Sequence, residues 1–356
     1  MKRTLTSISV MLFFCLIPRI SCGQLEQLEL HEGTGVPAGV SAIYLKGTEY
    51  LARTQQPDGS WGANQQSHGN ESSGICALAT MAFLSTGEDP NFGRYARNVR
   101  AALRYIIRSQ KSETGYIPAN MYVHGFAMLA LAEAYGAIDE EMLWVGESKN
   151  GPQRSVGEAL ELAVRLAVSS QKKNPSKGWR YSPNDASADT SVVGAVLMGL
   201  LAARNAGIDV PDQTIDDALK YMKSMTSAES GEVGYSGLGG LGESGARTSI
   251  ACLVFSIGKR KSWEELDGTR KYLADHLEIG ASQSWPYYER YYKAQALFQA
   301  DYESWEQWNR NTIQELRNMQ ADDGQIGQSG HGPAYATSMS LLALALNYRF
   351  LPIYER

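Results

Sequence analysis

Lys46–Trp61 reads KGTEYLARTQQPDGSW and closes on Gln55-Gln56-Pro57-Asp58-Gly59-Ser60-Trp61, a tight turn between two apolar runs. Pro57 presets φ for such a turn, and Gly59 takes the positive φ that other residues resist. Trp61 brings a large apolar surface with one N–H to satisfy. Weaker copies of the turn recur at Gln110…Gly115-Tyr116, Gln171…Gly178-Trp179 and Gln320…Gly324-Gln325-Ile326.

Around these turns, an amphipathic helix alternates with a more apolar one in six units of roughly 45–60 residues. The periodicity predicts pairs at Val40–Ala52 with Gly74–Ser85, Val99–Ser109 with His124–Tyr135, and Val156–Ser169 with Thr190–Ala203. It continues with Thr214–Met225 and Thr248–Ile257, with Trp263–Leu277 and a run Gln283–Tyr292 that passes into a helix through Phe298, and with Trp305–Met319 and Thr337–Tyr348. In Gly74–Ser85, residues Ile75, Leu78, Met81, Phe83 and Leu84 cover nearly the whole circumference. A helix apolar all round is buried on all sides. Closing the pairs into a double ring covers the apolar set and leaves no open end. The expected fold is therefore all-α, an (α/α)6 toroid of six helix pairs with the apolar helices inside. An open solenoid needs polar end caps. The last unit, with Met339, Leu341, Leu342, Leu344 and Leu346, is no such cap.

The N-terminus stands apart. Lys2 and Arg3 precede the apolar run Ile8–Ile17, which has the length of a secretory signal and is too short to span a bilayer. Small residues Ser21 and Gly23 suit cleavage before Gln24, so residues 1–23 read as an export signal. The rival reading makes Cys22 a lipidated first residue and ties the protein to a membrane. An uncleaved anchor is a third. Residues 24–39 read as an arm, and 40–356 as one toroid domain. Removing residues 1–23 takes Lys2, Arg3 and Arg19 from 33 basic residues, leaving 30 against 38 acidic, net −8. That balance disfavours a nucleic-acid partner. Cys76 and Cys252 remain in the mature body, each in an apolar helix where free Cys behaves as a small hydrophobe.

Gln55…Gly59…Trp61, preceded by Lys46-Gly47 and Tyr50-Leu51, resembles the QW repeat of the terpenoid cyclases. The chain is similar to the squalene–hopene cyclase and protein prenyltransferase superfamily, which implies the same toroid. Gly178-Trp179-Arg180-Tyr181, Ala188-Asp189-Thr190-Ser191 and the tail from Tyr335 to Tyr354 resemble exported bacterial squalene-cyclase-like repeat proteins. The cyclases protonate an alkene with the middle Asp of an Asp-x-Asp-Asp-Thr-Ala motif. Only the third Asp survives here, as Asp189, and the donor position is Ala188. The prenyltransferase zinc ligand that follows a late Tyr is also missing, because Ala336 follows Tyr335. Fold does not carry chemistry with it.

The turn-to-inner-helix junctions fall at one end of the ring and converge on a central cavity. Candidate catalytic carboxylates are Asp189 and Asp185, and the commoner use of Asp189 is as the N-cap of the apolar helix it precedes. Candidate ligand-binding residues are Arg180, Tyr181, Tyr287, Tyr288, Tyr291, Tyr292, Gln295, His124, His331 and Tyr335. The run Tyr287-Tyr288-Glu289-Arg290-Tyr291-Tyr292 breaks the apolar rule for an inner helix. Aromatic faces suit an apolar or cationic ligand, and equally suit packing between rings. His68, His124, His331 and Glu71 hold similar places in their units, but no spacing supports a metal site. Gly237–Gly242 matches G-x-G-x-x-G without a preceding strand, so no dinucleotide cofactor is expected. Three functions remain: a non-catalytic toroid holding a small-molecule, lipid-like or peptide ligand, an isoprenoid-processing enzyme with a non-standard acid, and a carbohydrate-active lyase or hydrolase.

Overall fold

The computed structural model describes residues 35–62, 71–148, 151–238, 241, 245–278 and 285–354. The expected export signal with Cys22, His68, Asn70, and Gly239, Gly240 and Gly242 of the glycine-rich stretch lie outside the described residues.

Twelve helices of 12 or more residues alternate between two layers among the described residues. The outer layer holds α1 (Ala38–Thr54), α3 (Ala96–Ser109), α5 (Val156–Lys173), α7 (Asp212–Ser224), α9 (Glu264–Asp275) and α11 (Tyr302–Met319). The inner layer holds α2 (Ser72–Leu84), α4 (Met121–Ala134), α6 (Thr190–Asn205), α8 (Gly245–Ile257), α10 (Pro286–Ala300) and α12 (Pro333–Leu344). Each inner helix packs on the next, and α12 returns to α2, so the inner ring is closed. Each outer helix from α3 to α11 packs on the inner helix before it, and α1 packs on α12. This is the (α/α)6 toroid that the periodicity predicts. Every residue of α2 is buried, whereas in α3 only one stripe is. The helices themselves pack closely at points of small side chain. A Cβ on Gly125 of α4 would stand 2.7 Å from the Ala195 carbonyl carbon of α6, so the two backbones meet there.

The recurring turn is the stitch between outer helices. In the first unit the Gln55 side-chain amide donates to the Gly59 carbonyl, 2.9 Å, and to the Asn98 carbonyl of α3, 3.0 Å. Gln110 does the same with Gly115 and Ala159 of α5, and Gln171 with Lys177 and Thr214 of α7. Gln320 reaches Gly324 and Ile43 of α1, 3.0 Å, which closes the outer ring. Gly59 has φ +92°, and a Cβ there would sit 2.2 Å from the Ala101 carbonyl oxygen. Glycine is thus required twice over, by dihedral and by space. Trp61 is buried, and its indole N–H donates to the Leu51 carbonyl at 2.8 Å. Trp179 repeats that bond to Ala167 at 2.9 Å.

The sixth inner helix starts earlier than its periodicity predicts, at Pro333, and ends earlier in a 3-10 turn, Ala345–Asn347. Proline at the first helical position costs no hydrogen bond, so the polar junction is absorbed into the helix. Cys76 and Cys252 are both buried and unpaired, on α2 and α8. No helix among the described residues is long and apolar enough to cross a membrane.

Candidate functional site

All six inner helices start at the same end of the ring, and their first turns surround a cavity of about 820 Å³. One to two turns into the helices its wall is apolar on four sides, with Ile75 and Leu78 from α2, Val123 and Phe126 from α4, Val192 from α6, and Met339 from α12, while α10 contributes Tyr288, Glu289 and Lys293. The residues just before the helix starts make a polar and aromatic mouth, including Glu71, Asn120, Tyr181, Tyr235, Trp285 and His331. The layering follows from sequence. Polar caps and turn residues precede each helix, and apolar inner faces follow.

Asp189 lies in the wall, fully buried, as the N-cap of α6. One carboxylate oxygen accepts the Val192 N–H at 3.0 Å, while Oδ2 makes no well-formed hydrogen bond. Burial pushes its carboxyl above the usual range, opposed by the Val192 bond and by Arg180. The Arg180 guanidinium lies 5.8 Å from the ring centres of both Tyr181 and Tyr235. The two phenols share a 2.6 Å hydrogen bond. Asp185 does not line this cavity. It accepts the Ser182 N–H at 2.8 Å, closing a turn, and with Arg180 it lines a shallower recess on the far side of Tyr181.

Across the mouth, His331 Nδ1 lies 2.7 Å from Glu71 Oε2. The His331 ring stacks on Trp285, centroids 5.6 Å apart, and lies 5.0 Å from the Tyr335 ring. Burial raises the Tyr335 and Tyr288 hydroxyls above the ordinary phenol range. Tyr288 faces the cavity, and its hydroxyl makes no well-formed hydrogen bond.

Of the sequence-predicted residues, Asp189, Tyr181, Tyr288, His331 and Tyr335 therefore meet around the cavity. Others do not reach it. Tyr291 and Tyr292 pack edge-to-face at 4.8 Å inside the wall, and Gln295 bonds back to the Tyr291 carbonyl. The Tyr287 hydroxyl accepts the Gln328 N–H at 3.0 Å. His124 is fully buried: Nδ1 accepts the Ile117 N–H, so Nε2 carries the proton and faces the Ala163 carbonyl at 3.1 Å. Its expected place at the cavity mouth is corrected to one in the wall, because it sits one turn into α4 on the side facing α5. Among the described residues no three His, Cys, Asp or Glu side chains cluster as metal ligands.

Tyr122, Phe126, Tyr235, Arg247, Trp285 and Lys293 also line the cavity, outside the residues expected from the sequence. Tyr122 and Phe126 are four apart, one above the other on α4, a signal available in the chain. Tyr235 and Arg247 carry no such signal, since the segment between α7 and α8 delivers the former and a half-buried helix start the latter.

No family model matches the chain, and no curated protein matches it by sequence. Solved structures do match in fold. The GH76A alpha-1,6-mannanase of Salegentibacter sp. HEL1_6 superposes with TM-score 0.63 at 10% identity, covering 86% of this chain and 98% of that one. The type II terpene cyclase MstE from Scytonema gives TM-score 0.58 at 14% identity, covering 88% and 99%. A protein from Actinoplanes gives 0.53 at 15%, covering 86% and 98%. The chain thus has an alpha-alpha toroid fold like that of a terpene cyclase and of a glycoside hydrolase.

Proposed function

We propose that the ring binds an amphiphilic small molecule in its central cavity, with the apolar body in the pit and the polar head at the mouth, without standard cyclase chemistry. The observation that carries this reading is the layering of the wall. Six aliphatic and aromatic side chains from four of the inner helices lie one to two turns deep, below a polar rim, and the charged residues at that depth, Glu289 and Lys293, lie 3.9 Å apart as a buried pair. Burying the six apolar side chains against a ligand body contributes roughly 25 cal/mol per Å² removed from water. A single-residue variant of MstE has been solved with geranylgeranyl dihydroxybenzoate as substrate, which is such an amphiphile. The expected signal at residues 1–23 supports placing the protein outside the cytoplasm.

The carbohydrate-active reading has one support, the aromatic rim, in which Trp285 and Tyr181 are about half exposed. Against it stand the carboxylates. The mannanase solved with alpha-1,6-mannotriose was an inactive variant changed at two neighbouring aspartates. The neighbouring aspartates here, Asp216-Asp217 on α7 and Asp322-Asp323 before Gly324, do not line the cavity.

Native mass spectrometry of the mature protein, followed by solvent extraction, tests the proposal. A stoichiometric apolar or amphiphilic molecule is the expected result. In parallel, farnesol at a hundred times its Kd should stabilise the fold by about 2.7 kcal/mol in thermal unfolding. Stabilisation by alpha-1,6-mannotriose instead of farnesol would overturn the proposal.

A catalytic variant of this reading rests on Asp189, whose buried carboxyl in the cavity wall, raised by burial, suits a proton donor. Asn caps a helix as well as Asp, whereas Ala costs about 0.5–2 kcal/mol. Asp189→Asn should therefore keep stability within about 1 kcal/mol and abolish any turnover. Turnover that survives in the folded variant would leave Asp189 as a cap alone.

A further inference from the structure

The pair that spans the mouth, Glu71 before α2 and His331 before α12, joins residues 260 apart in sequence across the seam where the ring closes. A carboxylate only accepts hydrogen bonds, so at 2.7 Å the Nδ1 of His331 must carry the proton. In the neutral ring that leaves Nε2 as an acceptor. No protein group among the described residues bonds Nε2. Trp285, stacked on one side, fixes the ring plane. The mouth therefore presents a lone pair on a positioned imidazole beside a carboxylate.

The charges around the cavity reinforce this preference. Glu71, Asp189, Glu278 and Glu289 line it, against Arg247 and Lys293. Lys293 is buried, 3.9 Å from Glu289, and donates to the Glu278 carbonyl. Arg247 donates to the Val233 carbonyl. Two of the positive helix ends around the cavity are met by side-chain caps, and two others carry one N–H fewer. Asn120 caps α4 and Asp189 caps α6, while Pro286 and Pro333 open α10 and α12 without an N–H to offer.

We infer that Glu71 and His331 form a head-group site that takes a hydrogen-bond-donating, uncharged group, a ligand hydroxyl, and rejects an anionic head. The hydroxyl donates to His331 Nε2. A carboxylate or phosphate in its place has no proton to give and lies beside the Glu71 charge. The inference rests on the amphiphile reading above and deepens it.

Tail-matched probes test it: farnesol against farnesoate, titrated into the mature protein at neutral pH by calorimetry. Farnesol is expected to bind at least about tenfold more tightly, on the order of 1.4 kcal/mol. His331→Phe keeps the stack on Trp285 but removes the acceptor. It should weaken farnesol about tenfold and leave farnesoate unchanged. Glu71→Gln removes the charge and should narrow the preference to about threefold or less. A long-range proton–nitrogen NMR spectrum of the unliganded wild type should show His331 protonated at Nδ1 and bare at Nε2, independent of any variant's folding. Equal affinity for the two probes, or tighter farnesoate, overturns the head-group site while leaving the amphiphile cavity standing. Failure of both probes to bind removes the cavity reading itself. The opposite tautomer, or a ring protonated at both nitrogens at neutral pH, overturns the site by a route that needs no ligand.

Discussion

His124 shows at the scale of one residue how burial decides between ligand and wall. Burial pushes its imidazole down to about 4, with the Ala163 carbonyl pulling the other way, against about 6.5 in an unfolded chain. Between those values the unfolded chain binds a proton that the fold refuses, so stability rises with pH across that window. The contribution is whole above about pH 6.5 and shrinks on acidification, by about 2 kcal/mol at pH 5. Urea unfolding at pH 7 and pH 5 measures this loss. His124→Gln, which cannot titrate, should flatten the difference by about that amount. An unchanged difference would place the proton elsewhere. A histidine at a given place in a repeat cannot be told apart from the sequence alone, because cavity and wall differ by a rotation of about 100° per residue around the helix. For that reason Tyr181, Asp189, Tyr288, His331 and Tyr335 were legible as cavity-lining residues, but Tyr291, Tyr292 and Gln295 looked the same in the chain and do not line the cavity. The Glu71–His331 contact was legible only as a shared place in two units. That the units are neighbours follows from closure of the ring.

Turns and helices were more legible than the site, because each carries its own physical signature. The helix starts were legible to within about four residues, since caps and apolar periodicity mark them in the chain itself. The Gln turns were legible as turns, but their purpose was not. Each Gln amide leaves its own unit to meet a carbonyl on the next outer helix, and nothing local announces that partner. Two of these glutamines are buried, Gln110 and Gln171, each only 2% exposed. Replacing Gln171 by Ala strips hydrogen bonds from the Lys177 and Thr214 carbonyls, and each buried group left unpaired costs about 1–3 kcal/mol. Gln55 and Gln320 are half-buried, so water can reach their carbonyls and their replacement should cost less. The expected order in denaturant midpoint is therefore Gln171→Ala and Gln110→Ala below Gln320→Ala and Gln55→Ala. Equal losses at all four positions would mean that the amides act by packing and not by hydrogen bonding.

Closure is a property of the whole molecule, and it makes the two ends of the ring neighbours. α1 packs on α12, the Tyr44 hydroxyl donates to the Leu341 carbonyl at 2.7 Å, and Gln320 bonds Ile43 at 3.0 Å. In an open solenoid each repeat touches only its neighbours, so terminal repeats open first and at low free energy. In a closed ring α12 has inner-ring neighbours on both sides, as α6 does, and opening it unseals the cavity and exposes apolar faces of both α2 and α10. Hydrogen exchange on the native protein separates the two cases. Amides of α12 should exchange at free energies close to those of α6 in the middle of the chain, through the same global opening. Tyr44→Phe, which strips a buried hydroxyl's bonds to the Leu341 carbonyl and the Ser85 hydroxyl, should lower α6 and α12 together by about 1–3 kcal/mol. If α12 instead exchanges several kcal/mol more easily than α6, and Tyr44→Phe lowers α12 alone, the seam is weak and the ring behaves as a solenoid whose ends merely touch. That outcome would also undercut a head-group site built across the same seam, because Glu71 and His331 keep their 2.7 Å separation only while the ring stays shut.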